Sequence, residues 1–412
     1  MKRSRNLKLT LMAALPAAFV TGCGSEPETG VVLQSASDCY QIKQEQGDIQ
    51  QCLKAYDEAV AKHQQAAAEA AREAGAAVYF DPATERLTAP GFDLPALAYN
   101  PSVPYDVDVL ARDHRARSAL VAGVIDAHSP FVTAVTPPHF FVRDERTANL
   151  NVDLAERTLH ENGPALRVTV VLTSRFPVAS AAELAREYYR AGVRFMEVRI
   201  SPLGGEDEGV RKVRSAFAVL QAFSDAGLTV TAGLSGNIGQ VALALGHAGH
   251  YSVGIGMRER VDHAAAISRQ KQPPKPPVDG SPEGGGGPIA GIYLPGAALT
   301  VSRKIGADYL ANTDIRTRVG GCRLGACGSS VNGPANDPRG HYLHARAAEV
   351  DKLLAAPAPW RASIEVDRLT RARDLRLMIN RKHRAEDGPE LPVRTLNSLL
   401  EDIAAEREQK TA

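Results

Sequence analysis

The stretch Leu166–Gly204, LRVTVVLTSRFPVASAAELAREYYRAGVRFMEVRISPLG, decides the fold. Its first part, LRVTVVLTS (166–174), is apolar and rich in β-branched residues. SAAELAREYYRAG (180–192) follows with helical spacing and ends in Gly, the residue that a left-handed helix C-cap favours. RFMEVRISPLG (194–204) is apolar and β-rich again. Strand, helix, strand at this spacing is a βαβ unit, and such a unit builds a parallel sheet. The alternation continues on both sides. Further β-rich runs stand at FVTAVTPPHF (131–140), LTVTAGLS (228–235), YSVGIGM (251–257) and GIYLPG (291–296). Helical spacing recurs in YDVDVLARDHRARSALVAGVIDAH (105–128), EGVRKVRSAFAVLQAFSDAG (208–227) and NIGQVALALGHAG (237–249). These clear runs, with two more in the flanks, predict an α/β fold of (β/α)8 TIM-barrel type. A doubly wound open sheet is the rival architecture, which pattern alone does not separate from a barrel.

The chain has 412 residues, enough for one such barrel with appendages. Its 48 Lys and Arg against 47 Asp and Glu leave a formal net charge of +1, which gives no support for a dedicated nucleic-acid surface. Around the barrel the sequence divides into 1–23, a signal segment; 24–75, a polar and helical leader; 76–320, the barrel-like domain; and 321–412, a Cys/His segment with C-terminal helices. The run RQKQPPKPPVDGSPEGGGGP (269–288) is Pro-rich, then Gly-rich, and reads as an exposed insertion within the barrel. The stretch from about Gly340 to the end reads as three helices, of which RLTRARDLRLMINRKHR is strongly basic.

The first residues have a tripartite pattern. Lys2, Arg3, Arg5 and Lys8 are basic, Leu9 to Val20 is mostly apolar, and Val20-Thr21-Gly22-Cys23 follows. The apolar run suits a signal peptide and is too short to span a bilayer. The four residues resemble the lipobox of bacterial lipoproteins. That resemblance implies cleavage before Cys23, lipidation of its thiol and a membrane anchor in the cell envelope. The competing reading is an uncleaved extension on a cytoplasmic protein. Cys39 and Cys52 can close a small disulfide loop in an oxidising compartment and are ordinary thiols in the cytoplasm. The segment 31–63, with Asp38-Cys39, Cys52 and Ala55-Tyr56, is similar to the start of small envelope lipoproteins of unknown function.

In a barrel, chemistry collects at the carboxyl ends of the strands. That places His139, Arg143 and Asp144 after the first run, Ser174 and Arg175 after the second, and Ser201, Glu206 and Asp207 after the third. Ser235 and Asn237 follow the fourth, Arg258 and Glu259 the fifth, and Pro295 and Gly296 the sixth. From this set His139, Arg143, Asp144, Arg258 and Glu259 are the catalytic candidates. Arg175, Ser201, Ser235 and Asn237 are candidates for binding a small-molecule ligand. Glu206, Asp207 and Glu208 have a plainer explanation as acids at a helix N-terminus.

The densest chemical stretch is GGCRLGACGSSVNGPANDPRGHYLHAR (320–346). Cys322, Cys327, His341 and His344 offer two thiolates and two imidazoles, a donor set that closes a tetrahedral zinc site. A local disulfide, or small residues in a turn with solvent-facing histidines, would explain the same letters. Asp337 before Pro338 reads as a helix N-cap with proline at the first helical position. CRLGAC followed by HYLHAR resembles the zinc-bearing C-terminal part of tRNA-guanine transglycosylases, which are TIM barrels. VGIGMRE (253–259) is similar to the Gly-rich turn that those enzymes place by the base pocket. The family has three closely spaced cysteines and one late histidine, whereas this chain has two cysteines there. The resemblance implies bound zinc and an aspartate attacking C1′ of a ribose, with Asp144 and Asp314 both eligible. It also implies RNA meeting the basic C-terminal helices. An exported lipoprotein meets no tRNA, so the two ends of the sequence point to different compartments. The alternative function is an envelope lipoprotein whose barrel binds a ligand or partner without catalysis.

Overall fold

The computed structural model describes residues 10–13, 65–66, 68–73, 75–91, 99, 101, 103–128, 130, 132–254, 259–271, 291–320, 322, 327, 330, 332–385 and 388–411. Cys23, Cys39, Cys52, Arg258 and residues 272–288 of the expected insertion lie outside them. The chain forms two compact units, residues 1–169 with 263–288, and residues 170–262 with 289–412.

In the first unit β1 (Thr10–Ala13) pairs in parallel with β2 (Ala77–Phe80). A 3-10 turn (Thr84–Thr88) follows, and later α1 (Val107–Arg112) and α2 (His114–His128). Leu120, Val121, Val124 and His128 make the buried stripe of α2, one face at helical spacing. The chain then runs beside β2, bridging Ala134 to Tyr79, and reaches β3 (Phe141–Val142) and α3 (Glu145–Asn162). Leu87, Tyr99, Leu110, Phe140, Leu150 and Leu154 join that stripe in one core.

Strand β4 (Val168–Thr173) carries the boundary between the units and is buried over its first five residues, as a parallel strand covered on both faces should be. In the second unit α4 (Val178–Arg190) buries Ala181, Leu184, Ala185 and Tyr188. Then come β5 (Phe195–Ser201), β6 (Leu203–Gly204), α5 (Val210–Asp225), β7 (Thr229–Ala232), α6 (Gly236–Leu245), β8 (His250–Tyr251) and β9 (Arg260–Val261). Helix α7 (His263–Gln270) returns to the first unit. The remainder is β10 (Ile292–Leu294), β11 (Leu299–Val301), α8 (Arg303–Ala311), α9 (Arg316–Gly320), α10 (Gly333–Asn336), α11 (Pro338–Ala355), α12 (Ala358–Lys382) and α13 (Arg394–Thr411).

The fold is α/β, and its main sheet has five strands in the order β3-β4-β5-β7-β8. β5 pairs in parallel with β7, Phe195 opposite Thr229, and β7 with β8, Thr231 opposite His250. The order ascends without reversal, the arrangement that successive right-handed βαβ units generate. In β5 the apolar Met196, Val198 and Ile200 alternate with the equally buried Glu197, Arg199 and Ser201. One face of that strand is therefore apolar and the other polar, with period two.

One expectation changes. GIYLPG does not add a parallel strand. Ile292–Leu294 turns back through Pro295–Ala297 and pairs antiparallel with Leu299–Val301 as a separate hairpin. A short apolar run has no periodicity to separate a hairpin arm from a parallel strand. Among the described residues the main sheet has five strands. The C-terminal helices do form. α12 packs on α6 and on the Pro295–Ala297 turn, and α13 packs on α5.

Candidate functional site

The functional candidates of the second unit stand where β5, β7 and β8 end. After β7 the chain turns tightly into α6, whose first residue, Gly236, has a φ of 53°. A Cβ there would lie 2.4 Å from Glu259 Oε2, so only glycine lets the carboxylate approach this helix start. The backbone of Glu259 is fixed from the other side. β6 and β9 pair antiparallel, Gly204 opposite Arg260, and the Gly205 N–H donates to the Glu259 carbonyl at 2.9 Å.

The Glu259 carboxylate anchors a buried network. Oε1 accepts the Tyr342 hydroxyl at 2.5 Å and also pairs with Arg346 Nη2. Arg346 donates through Nη1 to Glu349 at 3.2 Å, and its guanidinium lies 4.4 Å from the centre of the Tyr293 ring. The Tyr293 hydroxyl donates to Glu349 at 2.9 Å. Arg368 pairs with Glu365 at 2.8 Å and donates to Asn237 Oδ1 at 3.1 Å. Gln240 donates to Glu365 at 2.9 Å and accepts the Tyr251 hydroxyl at 3.1 Å. Glu365 and Gln240 are fully buried, and Arg346 is 4% exposed. Burial works against the charge on Arg346, but Glu259 beside it holds its pKa well above the ordinary value. Burial, then the charge of Glu259, raises the Tyr342 phenol. These contacts hold the groups in place, with Arg346 Nε left buried and without a hydrogen bond.

Beside the network opens a cleft of about 600 Å³, lined by Glu349, Glu365, Arg368, Pro295 and Gly296, with Arg318, Lys352 and Arg371 adding cations. Ile364, Leu375 and Met378 form its apolar wall. Asp374 lines the cleft too, so four cations and three carboxylates surround the apolar wall. Behind it, Arg376 reaches Glu206 at 2.5 Å. Burial raises the pKa of Glu206, and Arg376 opposes the rise.

Past the cleft the chain holds its thiols. Sulfur atoms of Cys322 and Cys327 and a ring nitrogen of His344 lie within 4.8 Å of one another. Both cysteines are free, so they form no local disulfide. Burial, with the neighbouring Cys322 adding to it, pushes the Cys327 thiol up to about 11. Two thiols and an imidazole are donors of the kind zinc takes. His341 is not part of this group. It is fully buried and its Nε2 meets the Tyr293 carbonyl at 2.7 Å, which turns it toward β10. Asp337 caps α11 as expected, accepting from the Gly340 N–H at 2.9 Å.

No protein-family model, curated protein or solved structure matches the chain. Among the described residues no helix is long and apolar enough to cross a membrane.

The other expected site residues scatter. Ser235 is buried and donates to the Ala232 carbonyl at 3.0 Å, and Asn237 donates to the Ala298 carbonyl at 2.8 Å, so both shape the turn into α6. Ser201 is buried at the end of β5, and Arg175 is exposed. His139, Arg143 and Asp144 belong to the first unit and the Glu259 network to the second. Asp144 is an exposed N-cap of α3, Arg143 is exposed with its guanidinium 5.4 Å from the Phe141 ring centre, and Asp314 is exposed at a turn. His139 is buried beside Asp81 and Glu85.

Sequence reasoning missed Arg346, Glu349, Glu365 and Arg368. Their one local signal is the opposite-charge pair three residues apart, Arg346 with Glu349 and Glu365 with Arg368, which an ordinary solvated helix face carries equally.

Proposed function

We propose that this chain is a zinc-binding barrel enzyme of (β/α)8 type that exchanges a base at a ribose carbon, as the transglycosylases it resembles do. The observation that carries the reading is the convergence of Cys322, Cys327 and His344 in the segment where the resemblance expects the metal. These three residues would hold zinc, which would brace the segment between α9 and α11 against the cleft wall. The ascending strand order supports the barrel. Asp144 and Asp314 have surface roles, which leaves Glu259 as the carboxylate seated for chemistry. Arg346 and Tyr342 hold it oriented, so it would stabilise positive charge developing on a ribose ring as the base departs. Arg318, Lys352 and Arg371 would hold phosphate at the cleft rim.

The test is direct. Full-length protein is purified, its zinc is measured, and it is incubated with transfer RNA and radiolabelled guanine. Zinc at about one equivalent and label entering the RNA are expected. Glu259→Gln should keep the zinc and lose at least ~100-fold in rate. Cys322→Ser with Cys327→Ser should lose the metal. Zinc-loaded protein that incorporates no label overturns the activity, and protein that never takes up zinc overturns the metal. The reading also requires the chain to stay in the cytoplasm. Intact mass decides that point. A product beginning at an acylated Cys23 would assign the barrel to an envelope ligand instead.

A further inference from the structure

A second cluster of metal-ligating side chains stands in the first unit, separate from the thiols. Asp81 follows β2 directly, Glu85 sits in the 3-10 turn after it, and His139 comes from the extended segment before β3. The three are buried, with exposures of 8%, 8% and 1%. One ligand atom from each lies within 4.8 Å of the others. His139 Nε2 is 3.4 Å from Glu85 Oε2 and 3.8 Å from Asp81 Oδ1.

The main chain is clamped to hold this arrangement. The Thr84 hydroxyl accepts the His139 N–H at 2.7 Å and donates to the His139 carbonyl at 2.6 Å. That double contact ties the histidine backbone to the turn that carries Glu85. On the ring, Nδ1 lies 3.2 Å from the Pro137 carbonyl. A carbonyl can only accept, so Nδ1 carries the proton. In the neutral ring the Nε2 lone pair then faces the two carboxylates, the orientation that metal-binding histidines obtain from an outer carbonyl. Glu85 Oε2 is buried and makes no hydrogen bond within the described structure. Two buried carboxylates and an imidazole that converge on one point make a donor set for a cation.

We infer that Asp81, Glu85 and His139 form a binding site for a divalent transition-metal ion at the carboxyl end of β2. The mixed oxygen and nitrogen donors fit manganese, iron, cobalt or zinc better than calcium or magnesium, which favour oxygen alone. Tyr99 and His128 line the cluster's neighbourhood. Burial raises the Tyr99 phenol, with Asp81 and Glu85 adding to it, and burial pushes the His128 imidazole down to about 3. Both therefore stay neutral beside the carboxylates.

The probe is Co²⁺, because thiolate ligation gives it an intense charge-transfer band that oxygen and nitrogen ligands lack. The parent is the full chain with Cys322→Ser and Cys327→Ser, so the outcome does not depend on the zinc reading. It should bind about one Co²⁺ with visible d–d bands and no thiolate band, and melt at a higher temperature with the ion. Glu85→Gln and His139→Gln, checked for folding by circular dichroism, should each weaken Co²⁺ binding by at least ~100-fold. A parent that takes up no Co²⁺ and shows no thermal shift overturns the proposal. Undiminished binding in the folded Glu85→Gln and His139→Gln proteins overturns it as well. Should a substitution unfold the chain, Co²⁺-induced shifts of the His139 ring resonances in the parent decide, and unshifted resonances overturn the site.

Discussion

Asp144 shows how one carboxylate at a strand end takes a local role. It stands extended just before α3, and its Oδ1 accepts both the Thr147 N–H at 2.9 Å and the Thr147 hydroxyl at 2.8 Å. The Thr147 N–H, then its hydroxyl, hold the Asp144 carboxyl below its ordinary pKa of 3.8. An ionised cap satisfies a free N–H and complements the helix dipole. Asp144→Ala should therefore cost about 1 kcal/mol of unfolding free energy in urea titrations near neutral pH. The sign in pH follows from the depressed folded value. The contribution is fully present above the unfolded pKa and fades as pH falls through the lowered folded one, so wild type and variant should converge in strong acid. The same variant should retain full base-exchange rate. A rate loss without a stability loss would restore Asp144 to catalysis.

Among the elements, α12 holds the hairpin and the cleft through Arg376, which is fully buried. The guanidinium donates to the Ala297 and Ala298 carbonyls at 2.7 Å each, to the Pro392 carbonyl at 2.5 Å, and to Glu206. Arg376→Leu leaves those acceptors and one partly buried carboxylate without their donor. It should cost about 3–5 kcal/mol, read as a lower urea midpoint. The deficit should shrink as pH falls. Glu206 already has a raised pKa from burial, and protonating it removes the unpaired charge. This interaction also marks the limit of what the sequence discloses. β4, β5 and β7 are legible because period-two alternation and apolar runs follow from the strand itself, and α4 and α5 because their stripes repeat every three or four residues. Glu259 is legible as a polar residue just past a strand. Its partners Tyr342 and Arg346 are not, because more than 80 residues separate them from it and only the tertiary fold brings α11 to β8. His341 and His344 look alike as letters. Their difference depends on which faces β10 and which faces the cysteines, a matter of packing alone.

At the scale of the whole chain, the C-terminal helices lie in the same compact unit as β5, β7 and β8. A boundary at 321 would cut through that unit. Ile379 of α12 and Leu391 share one core with Ile292, Leu299 and Tyr309, and Leu353 of α11 packs with Leu243 and Ala244 of α6. Leu396, Leu399 and Ile403 of α13 are fully buried, as are Leu353, Leu369 and Ile379. Burying each such side chain contributes about 1.5–3 kcal/mol, so together they amount to roughly 10 kcal/mol or more. A domain's entire stability is about 5–15 kcal/mol. Truncation would also strip Glu206 of Arg376 and Glu259 of Arg346, leaving carboxylates that were folded against partners. A chain ending at Gly320 is therefore expected to lack a cooperative thermal transition and to show collapsed amide dispersion in its NMR spectrum. The full chain should show a sharp transition. A truncated chain that melts cooperatively within a few degrees of the full one would make the helices an appendage, and the Glu259 network would then have to stand without Arg346.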